Sequence, residues 1–492
     1  MPMNDQSPSS PTVPPWLSAL LDAQRSAAPK DEIPDRRTRA DLLLRLEQAL
    51  LARRGDLVRA LDADFGGRSP AETLFVEVFG LVDEIRHTRR QLRRWMRPRR
   101  VPGNPQTRPG RASIHYRPLG VIGVMGAYNY PLYLSLSPAV GAIAAGNRVM
   151  IKPSEQAPRT GALIAELVAG VCPPERICVV NGGVELSRAF AALPFDHLVF
   201  TGSANVGRQV LRQAADRLMP VTLELGGKSP AIVAPGFDIA EAATKIMYAK
   251  LLNAGQTCIA PDHVWVPQAQ VGAFVEAAAA AAARFHPQLV ANPHYTRMIS
   301  AEAHARLQQW VDEAQARGAK LRSVQAATDN CSGQNRVFPP TLVTDCPPDT
   351  ALMQQEIFGP VLPVCGYQDL DQTITRINAG PSPLAAYLFD LDGARSQRAV
   401  DRLICGGITV NGCLYHVGQH NLPLGGVGDS GMGAYHGFHG FERFSCQKAV
   451  FHASRLLPDR LMHPPYGRVM EWLLGWLLHG RPVRESIARG PE

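Results

Sequence analysis

No run in the sequence approaches the ~18 consecutive apolar residues of a bilayer-spanning helix, so no membrane span is expected. Residues 1–15 are rich in proline and serine and lack the apolar stretch of a secretion signal; they read as a disordered lead. The nine cysteines are an odd count without a CxxC pair, which argues against a disulfide framework or a zinc ribbon. A reducing compartment, the cytoplasm, is expected. The 14 histidines form no HExxH or similar spacing, and His416, His420, His436 and His439 crowd a glycine-rich segment without metal-ligand order, so no metal is expected. The ordinary dinucleotide fingerprint GxGxxG is missing: Gly123-Val124-Met125-Gly126 lacks the third glycine and the helix register. Excess charge is modest, net +8 over 492 residues. The densest basic run, from Arg89 to Arg100, reads as the solvated face of a helix ending near Pro98 rather than a nucleic-acid site. No solenoid repeat is visible.

What remains has the make-up of an α/β protein. Hydrophobic residues are 45% and charged residues 19%, enough for large cores, and the length implies two or three domains. Helical spacing is expected over residues 16–28, over 37–62 from Leu43, Leu46, Leu50, Val58 and Leu61, and over 72–96. Arg111–Pro118 reads as a strand or hairpin arm. Strands then alternate with helices: Val121–Met125, a helix over Pro138–Ala145 with proline in its first turn, Arg148–Ile151, Gly161–Val171, Ile177–Val180, Leu186–Ala192, His197–Phe200, Val206–Arg217 and Val221–Leu225. That order predicts a doubly wound parallel sheet, which binds ligands beyond its strand C-termini. A second α/β series follows, with strands near 263–266, 341–343, 361–367, 384–389 and 407–410.

Three stretches carry chemistry. Asn253-Ala254-Gly255-Gln256-Thr257-Cys258 leads through small residues to a cysteine that a ligand can reach; a buried inert thiol is the plain alternative. Leu223-Glu224-Leu225-Gly226-Gly227 sets a carboxylate at a strand end beside two glycines. Thr201-Gly202-Ser203 runs from a strand into a helix whose free N–H groups suit a phosphate, with Gly207 inside the first turns. Asn129, before Pro131, offers an amide donor, although a turn role would explain it equally.

From about Arg36 to about Gln447, and through several motifs at once, the chain resembles the aldehyde dehydrogenase superfamily. The carrying motifs are Leu223–Pro230, Asn253–Pro261, Gly126-Ala127-Tyr128-Asn129-Tyr130-Pro131, Lys152-Pro153-Ser154-Glu155, Phe200–Gly207 and Gln355-Glu356-Ile357-Phe358-Gly359-Pro360. The segment Asn411–Gly437 is similar to the class 3 branch, most of all to its bacterial coniferyl-aldehyde dehydrogenase group. The resemblance implies Cys258 as nucleophile, Glu224 as base and Asn129 as oxyanion donor. It further implies Lys152 and Glu155 at the adenosine ribose, Gly202, Ser203 and Gly207 at the pyrophosphate, and Glu356 and Phe358 at the nicotinamide riboside. Glu155 favours free ribose hydroxyls, so NAD is the expected cofactor, with NADP possible.

The substrate is expected to be an uncharged aldehyde, aromatic or of medium to long aliphatic chain, in a pocket built from Tyr128, Tyr133, Tyr415 and Leu424. Many relatives have phenylalanine at the last position, so a wider, more aliphatic pocket is one reading. An NAD(P)-binding domain is expected over 16–107 and 119–226, and a catalytic domain over 227–430. An oligomerisation arm over 108–118 and 443–458 implies a homodimer. A tail helix within 459–492 would pack on protein, with peripheral membrane contact as the alternative. Competing functions are a reductive or CoA-acylating relative, which Glu224 argues against, and a non-catalytic NAD-binding member.

Overall fold

The computed structural model describes residues 12–27, 33–325, 329–456, 463–465 and 467–479. Most of the expected lead and part of the expected tail lie outside these residues. Five helices come first: α1 (Pro15–Ser26), α2 (Arg36–Ala52), α3 (Arg54–Phe65), the single turn α4 (Pro70–Glu72) and, after a π-helical stretch at Thr73–Phe79, α5 (Gly80–Trp95). The one helix expected over 37–62 is two. The chain leaves helical geometry at Arg53, and the changed phase turns Leu57 inward in place of Val58.

The next series is β3 (Val121–Met125), α6 (Pro131–Ala145), β4 (Arg148–Lys152), α7 (Pro158–Val171), β5 (Ile177–Val179), α8 (Val184–Ala191), β6 (His197–Gly202), α9 (Ala204–Ala215) and β7 (Val221–Leu225), β1 and β2 preceding it. Helix α6 is twice the length expected, because the proline of its first turn is Pro131 and Pro138 is interior. It is buried on nearly every side, so no polar face gives it a readable period.

A second series gives β8 (Pro230–Val233), α10 (Ile239–Leu251), β9 (His263–Pro267), α11 (Val271–Phe285), α12 (Ala301–Ala316), β10 (Lys320–Ser323), β11 (Thr341–Thr344), α13 (Ala351–Gln354) and β12 (Val361–Tyr367). It continues with α14 (Leu370–Asn378), β13 (Ala385–Phe389), α15 (Gly393–Arg402), β14 (Gly407–Val410), β15 (Gly431–Met432) and α16 (Gly437–Arg443).

These strands form two sheets. The first runs β15-β7-β6-β3-β4-β5, parallel except for β15. The second runs β10-β11-β12-β9-β8-β13-β14, parallel except for β10. In the first sheet the winding reverses between β3 and β6, which is where such sheets hold ligands. Helices α10 and α11 cover the second with small apolar residues, Ala242, Ala243, Ala278 and Ala282, against Val264, Val266 and Leu362.

The chain divides into two compact units, Met1–Met96 with Arg117–Cys446, and Arg97–Tyr116 with Gln447–Glu492. The smaller unit is built on β1 (Arg99–Val101), β2 (Arg111–Pro118) and β16 (Ser445–His452), in the order β1-β2-β16, and includes α17 (Arg468–His479). Strand 111–118 therefore finds the partner expected for it in the segment that ends at His452.

An ion pair buried to zero exposure joins the first helices to α6. Arg68 stands 3.0 Å from Glu77. The other Glu77 oxygen accepts from the N–H groups of Leu132 (2.8 Å) and Tyr133 (3.1 Å), capping the positive end of α6. Removing one partner of such a pair leaves a buried charge, at a cost of about 3–5 kcal/mol. Arg68→Ala should therefore lower the denaturant-unfolding free energy by about that amount, and Arg68→Met with Glu77→Leu should recover part of it. A loss for Arg68→Ala no larger than that of a surface substitution would contradict this account.

Candidate active site

The C-termini of β3, β4, β6 and β7 open on one cavity of about 870 Å³. Each strand delivers a residue to it: Tyr128 and Asn129 follow β3, Lys152 ends β4, Gly202 and Ser203 end β6, and Glu224 lies one residue from the end of β7. The opposite wall comes from the second α/β series, with Cys258, Arg306, Glu356 and Phe358.

The loop before Cys258 is held in an unusual shape. Asn253, Ala254 and Gly255 all have positive φ, which for Asn253 and Ala254 costs roughly 1–3 kcal/mol each. At Gly255 a side chain would meet the Gly359 carbonyl oxygen at 2.3 Å. Buried hydrogen bonds hold the conformation. Asn253 Nδ2 donates to the carbonyls of Asn129 and Gln256, both at 3.0 Å. Gln256 Nε2 donates to the carbonyls of Asn253 (3.0 Å) and Arg297 (3.1 Å), and its Oε1 accepts from Ile299 N (2.9 Å). Asn129 Nδ2 donates to the Gln256 carbonyl at 3.1 Å, which fixes the amide near Cys258 and leaves its second N–H uncommitted. Arg68 Nη1 donates to the Asn129 carbonyl at 2.9 Å.

The charges are buried as well. Glu224 is 4% exposed, its Oε1 has no hydrogen-bond partner, and burial pushes its carboxyl up to about 8. Glu356 is likewise pushed up to about 8 by burial and then by the Asp262 carboxylate, against an opposing Gly227 N–H and the cations Lys228 and Arg306. Cys258 is pushed up to about 12, first by burial and then by Glu356 and Glu224; the N–H groups of Cys258 and Ile259 act the other way. Lys152 Nζ is buried, donates to the Pro153 carbonyl at 2.8 Å and lies 3.6 Å from Glu155.

The cavity suits a dinucleotide. Ser203 caps α9 through Val206 N, so the helix presents its positive end at the cavity wall. Glu356 Oε1 is buried without a partner, as a group awaiting a hydroxyl would be. Gly226 lets the Glu356 carboxyl lie against the backbone, since a Cβ there would stand 2.1 Å from both its oxygens.

Most of the residues singled out in the sequence meet here, and some do not. Gly207 lies in α9, buried against Leu225, and does not line the cavity. Tyr128 does, with its ring edge-on to Phe358 at 5.9 Å. Tyr133, Tyr415 and Leu424 do not. The Tyr133 hydroxyl lies 3.0 Å from His436 Nε2, Tyr415 is 66% exposed, and Leu424 exchanges two backbone hydrogen bonds with Tyr435. Sequence reasoning missed Arg306, which lines the cavity, donates to the Ile357 carbonyl at 3.0 Å and stacks on Trp310. It also missed Arg68; neither arginine belongs to a motif. Among the described residues no group of three His, Cys, Asp or Glu side chains could hold a metal ion.

The residue pattern of the aldehyde dehydrogenase family matches residues 18–450. The chain belongs to the aldehyde dehydrogenase family. Among its relatives, a "Probable coniferyl aldehyde dehydrogenase" of Caulobacter vibrioides is 42% identical over 93% of this chain and 96% of the relative. The AldH of Staphylococcus aureus, solved in a substrate-bound state, superposes with a TM-score of 0.88 at 33% identity, over 94% of this chain and 99% of that one. An aldehyde dehydrogenase of Mycobacterium tuberculosis complexed with NAD+ gives 0.79 at 27% identity, over 88% and 89%. As an oxidoreductase of this aldehyde dehydrogenase family, the chain lines one cavity with residues from the C-termini of its first sheet and with Cys258 and its neighbours from the second α/β series.

The contact at Gly226 gives a direct test of the cofactor wall. Gly226→Ala drives a methyl group into Glu356. The dissociation constant for NAD, read by fluorescence titration, should rise about tenfold or more, equivalent to ~1.4 kcal/mol. Unchanged affinity would show that Glu356 does not need this position to bind cofactor.

Proposed function

We propose that this chain oxidises an uncharged aldehyde irreversibly to its carboxylic acid, using NAD in preference to NADP, with Cys258, Glu224 and Asn129 as the reacting set. What carries the reading is the convergence of Cys258, Glu224, Asn129 and Glu356 on one cavity at the switch point of a parallel sheet. Lys152 and Glu155 would take the adenosine ribose, the α9 N-terminus with Gly202 and Ser203 the pyrophosphate, and Glu356 and Phe358 the nicotinamide riboside. When bound, NAD(P) supplies the hydride acceptor.

The chain's own residues do the rest. Cys258 gives its proton to water in the cavity and its sulfur bonds to the aldehyde carbon, the carbonyl π pair moving to oxygen. Asn129 Nδ2 and the Cys258 N–H hold that oxyanion; one such donor contributes ~3 kcal/mol to barrier lowering. Loss of hydride from carbon restores the carbonyl and leaves an acyl thioester on Cys258. Glu224 then takes a proton from water, the oxygen adds to the acyl carbon, the C–S bond breaks and the acid leaves. Burial suits Glu224 to this task, because a base near 8 accepts a proton more readily than an exposed carboxylate does.

The named relative and the aromatic Tyr128 beside Phe358 favour an aromatic aldehyde of the coniferyl type. A medium or long aliphatic chain is the competing substrate class, and kcat/KM across both classes with NAD and NADP separates them. We assign cofactor binding to 16–107 and 119–226, catalysis to 227–430, and homodimer formation to the arm of 108–118 and 443–458, in a cytoplasmic enzyme. Among the described residues no helix is long and apolar enough to cross a membrane.

Cys258→Ala should abolish turnover and leave NAD affinity intact. Glu224→Gln should give one burst of NADH and then stall. In the unaltered chain the acid-forming step needs Glu224 ionised, so its rate should climb with pH through about 8 and level off above it. A Glu224→Gln variant with an unchanged steady-state rate would remove Glu224 as the base.

A further inference from the structure

The reading of Glu224 as base raises a question of its own: where its proton goes. The cavity is the obvious exit, but a bound dinucleotide and aldehyde occupy that side. Behind β7 lies a second set of polar groups that the chemistry above does not use.

Tyr435 is 1% exposed and its hydroxyl has no hydrogen-bond partner. It is carried beside β7 by the segment whose Gly431 pairs with Glu224 in antiparallel register. Its ring lies 5.3 Å from that of His436, and Glu224, Tyr133, Glu84 and Cys258 are all within electrostatic reach of its hydroxyl. The Tyr133 hydroxyl lies 3.0 Å from His436 Nε2 and also faces the Glu84 carboxyl, itself buried beside Ser137. Beyond His436 comes His420, ring centres 6.5 Å apart, and the Nδ1 atoms of both rings are buried without partners. His87 adds a third such nitrogen, Nε2, its ring 5.3 Å from that of His420. Unpartnered polar atoms clustered in this way are the setting in which internal water sits. At the far end His420 Nε2 meets Asp83 Oδ2 at 2.9 Å, and the Asp83 side chain is 42% exposed.

We propose that Tyr435, Tyr133, His436, His420 and Asp83 form a proton exit that returns Glu224 to its ionised form by a path separate from the substrate cavity. In each turnover the proton that Glu224 takes from water passes to the Tyr435 oxygen as that hydroxyl gives up its own proton, directly or through one water. The same exchange repeats at Tyr133 and the two imidazoles, and Asp83 releases the proton to solvent. Burial holds both tyrosines well above the ordinary phenol range, so they relay as neutral hydroxyls and never as phenolates. Tyr435, Tyr133, His436 and His420 are positioning and relay residues; none needs to touch the aldehyde.

The test is steady-state formation of acid over many turnovers, with the NADH burst read beside it, in rising imidazole buffer, for the whole enzyme with NAD and an aromatic aldehyde. Tyr435→Phe removes one oxygen atom. Its NADH burst should match the unaltered enzyme, while acid formation slows about tenfold or more, within the range of lost acid–base assistance. Imidazole should restore that step in Tyr435→Phe and leave the unaltered enzyme unmoved. His420→Gln, at the outer end, should show the same pattern and supplies the answer if Tyr435→Phe does not fold. Acid formation at the unaltered rate in both variants, or slowing that imidazole does not relieve, would overturn the route. Glu224→Gln, run alongside, separates the two claims: if it stalls while Tyr435→Phe is unaffected, the base stands and only the exit falls.

Discussion

The carbonyl oxygen of Asn129 accepts from Arg68 at 2.9 Å and from Asn253 at 3.0 Å, while the amide of the same residue reaches the Gln256 carbonyl at 3.1 Å. Through these bonds the loop after β3 and the loop before Cys258 become one rigid piece. The arrangement is costly to assemble. It holds two non-glycine residues at positive φ and a guanidinium away from water. It persists because the buried amides of Asn129, Asn253 and Gln256 each find carbonyl counterparts, where an unmatched donor would cost about 1–3 kcal/mol. The return on that cost is an amide and a sulfur whose separation does not depend on a flexible loop.

Burial is also what makes the site reactive. It pushes the Cys258 thiol up to about 12, with the carboxyls of Glu356 and Glu224 adding to the effect, and so sets which groups must exchange protons during the reaction. Glu224 lies on β7 and Glu356 in the loop between α13 and β12, and they have different neighbours. Glu224 has burial alone, while Glu356 has a backbone N–H, Asp262, Lys228 and Arg306 around it. The first is an environment for a group that gains and loses protons, the second for one that holds a ligand.

Much of the fold was legible because its strands are buried in runs bounded by glycine and proline. Val121–Met125, Val221–Leu225 and Val361–Tyr367 stand where the sequence places them, and so does the less buried Gly407–Val410. Helix α6 was half seen, because burial on all sides erases the period from which helices are read. Strands β8 and β10 were not read, and the two-residue β15 exists only because Leu223 and Glu224 offer it an edge. At the site, motif residues were legible and their supports were not. Cys258 and Glu224 sit in recognisable strings, whereas Arg68, Arg306 and Tyr435 act through distant contacts that no local pattern records. The resemblance set Tyr133, Tyr415 and Leu424 at the substrate; Tyr133 meets His436, Tyr415 is exposed and Leu424 pairs with Tyr435 through its backbone.

The central claim is that the aldehyde carbon becomes bonded to one sulfur and is freed by one carboxylate. Peptide mass mapping of Glu224→Gln, quenched after mixing with NAD and aldehyde, reads both halves at once. The account predicts an acyl group on Cys258 and on none of the other cysteines, persisting as the burst ends. An unmodified Cys258 under those conditions, or an acyl group found on another cysteine, would contradict it.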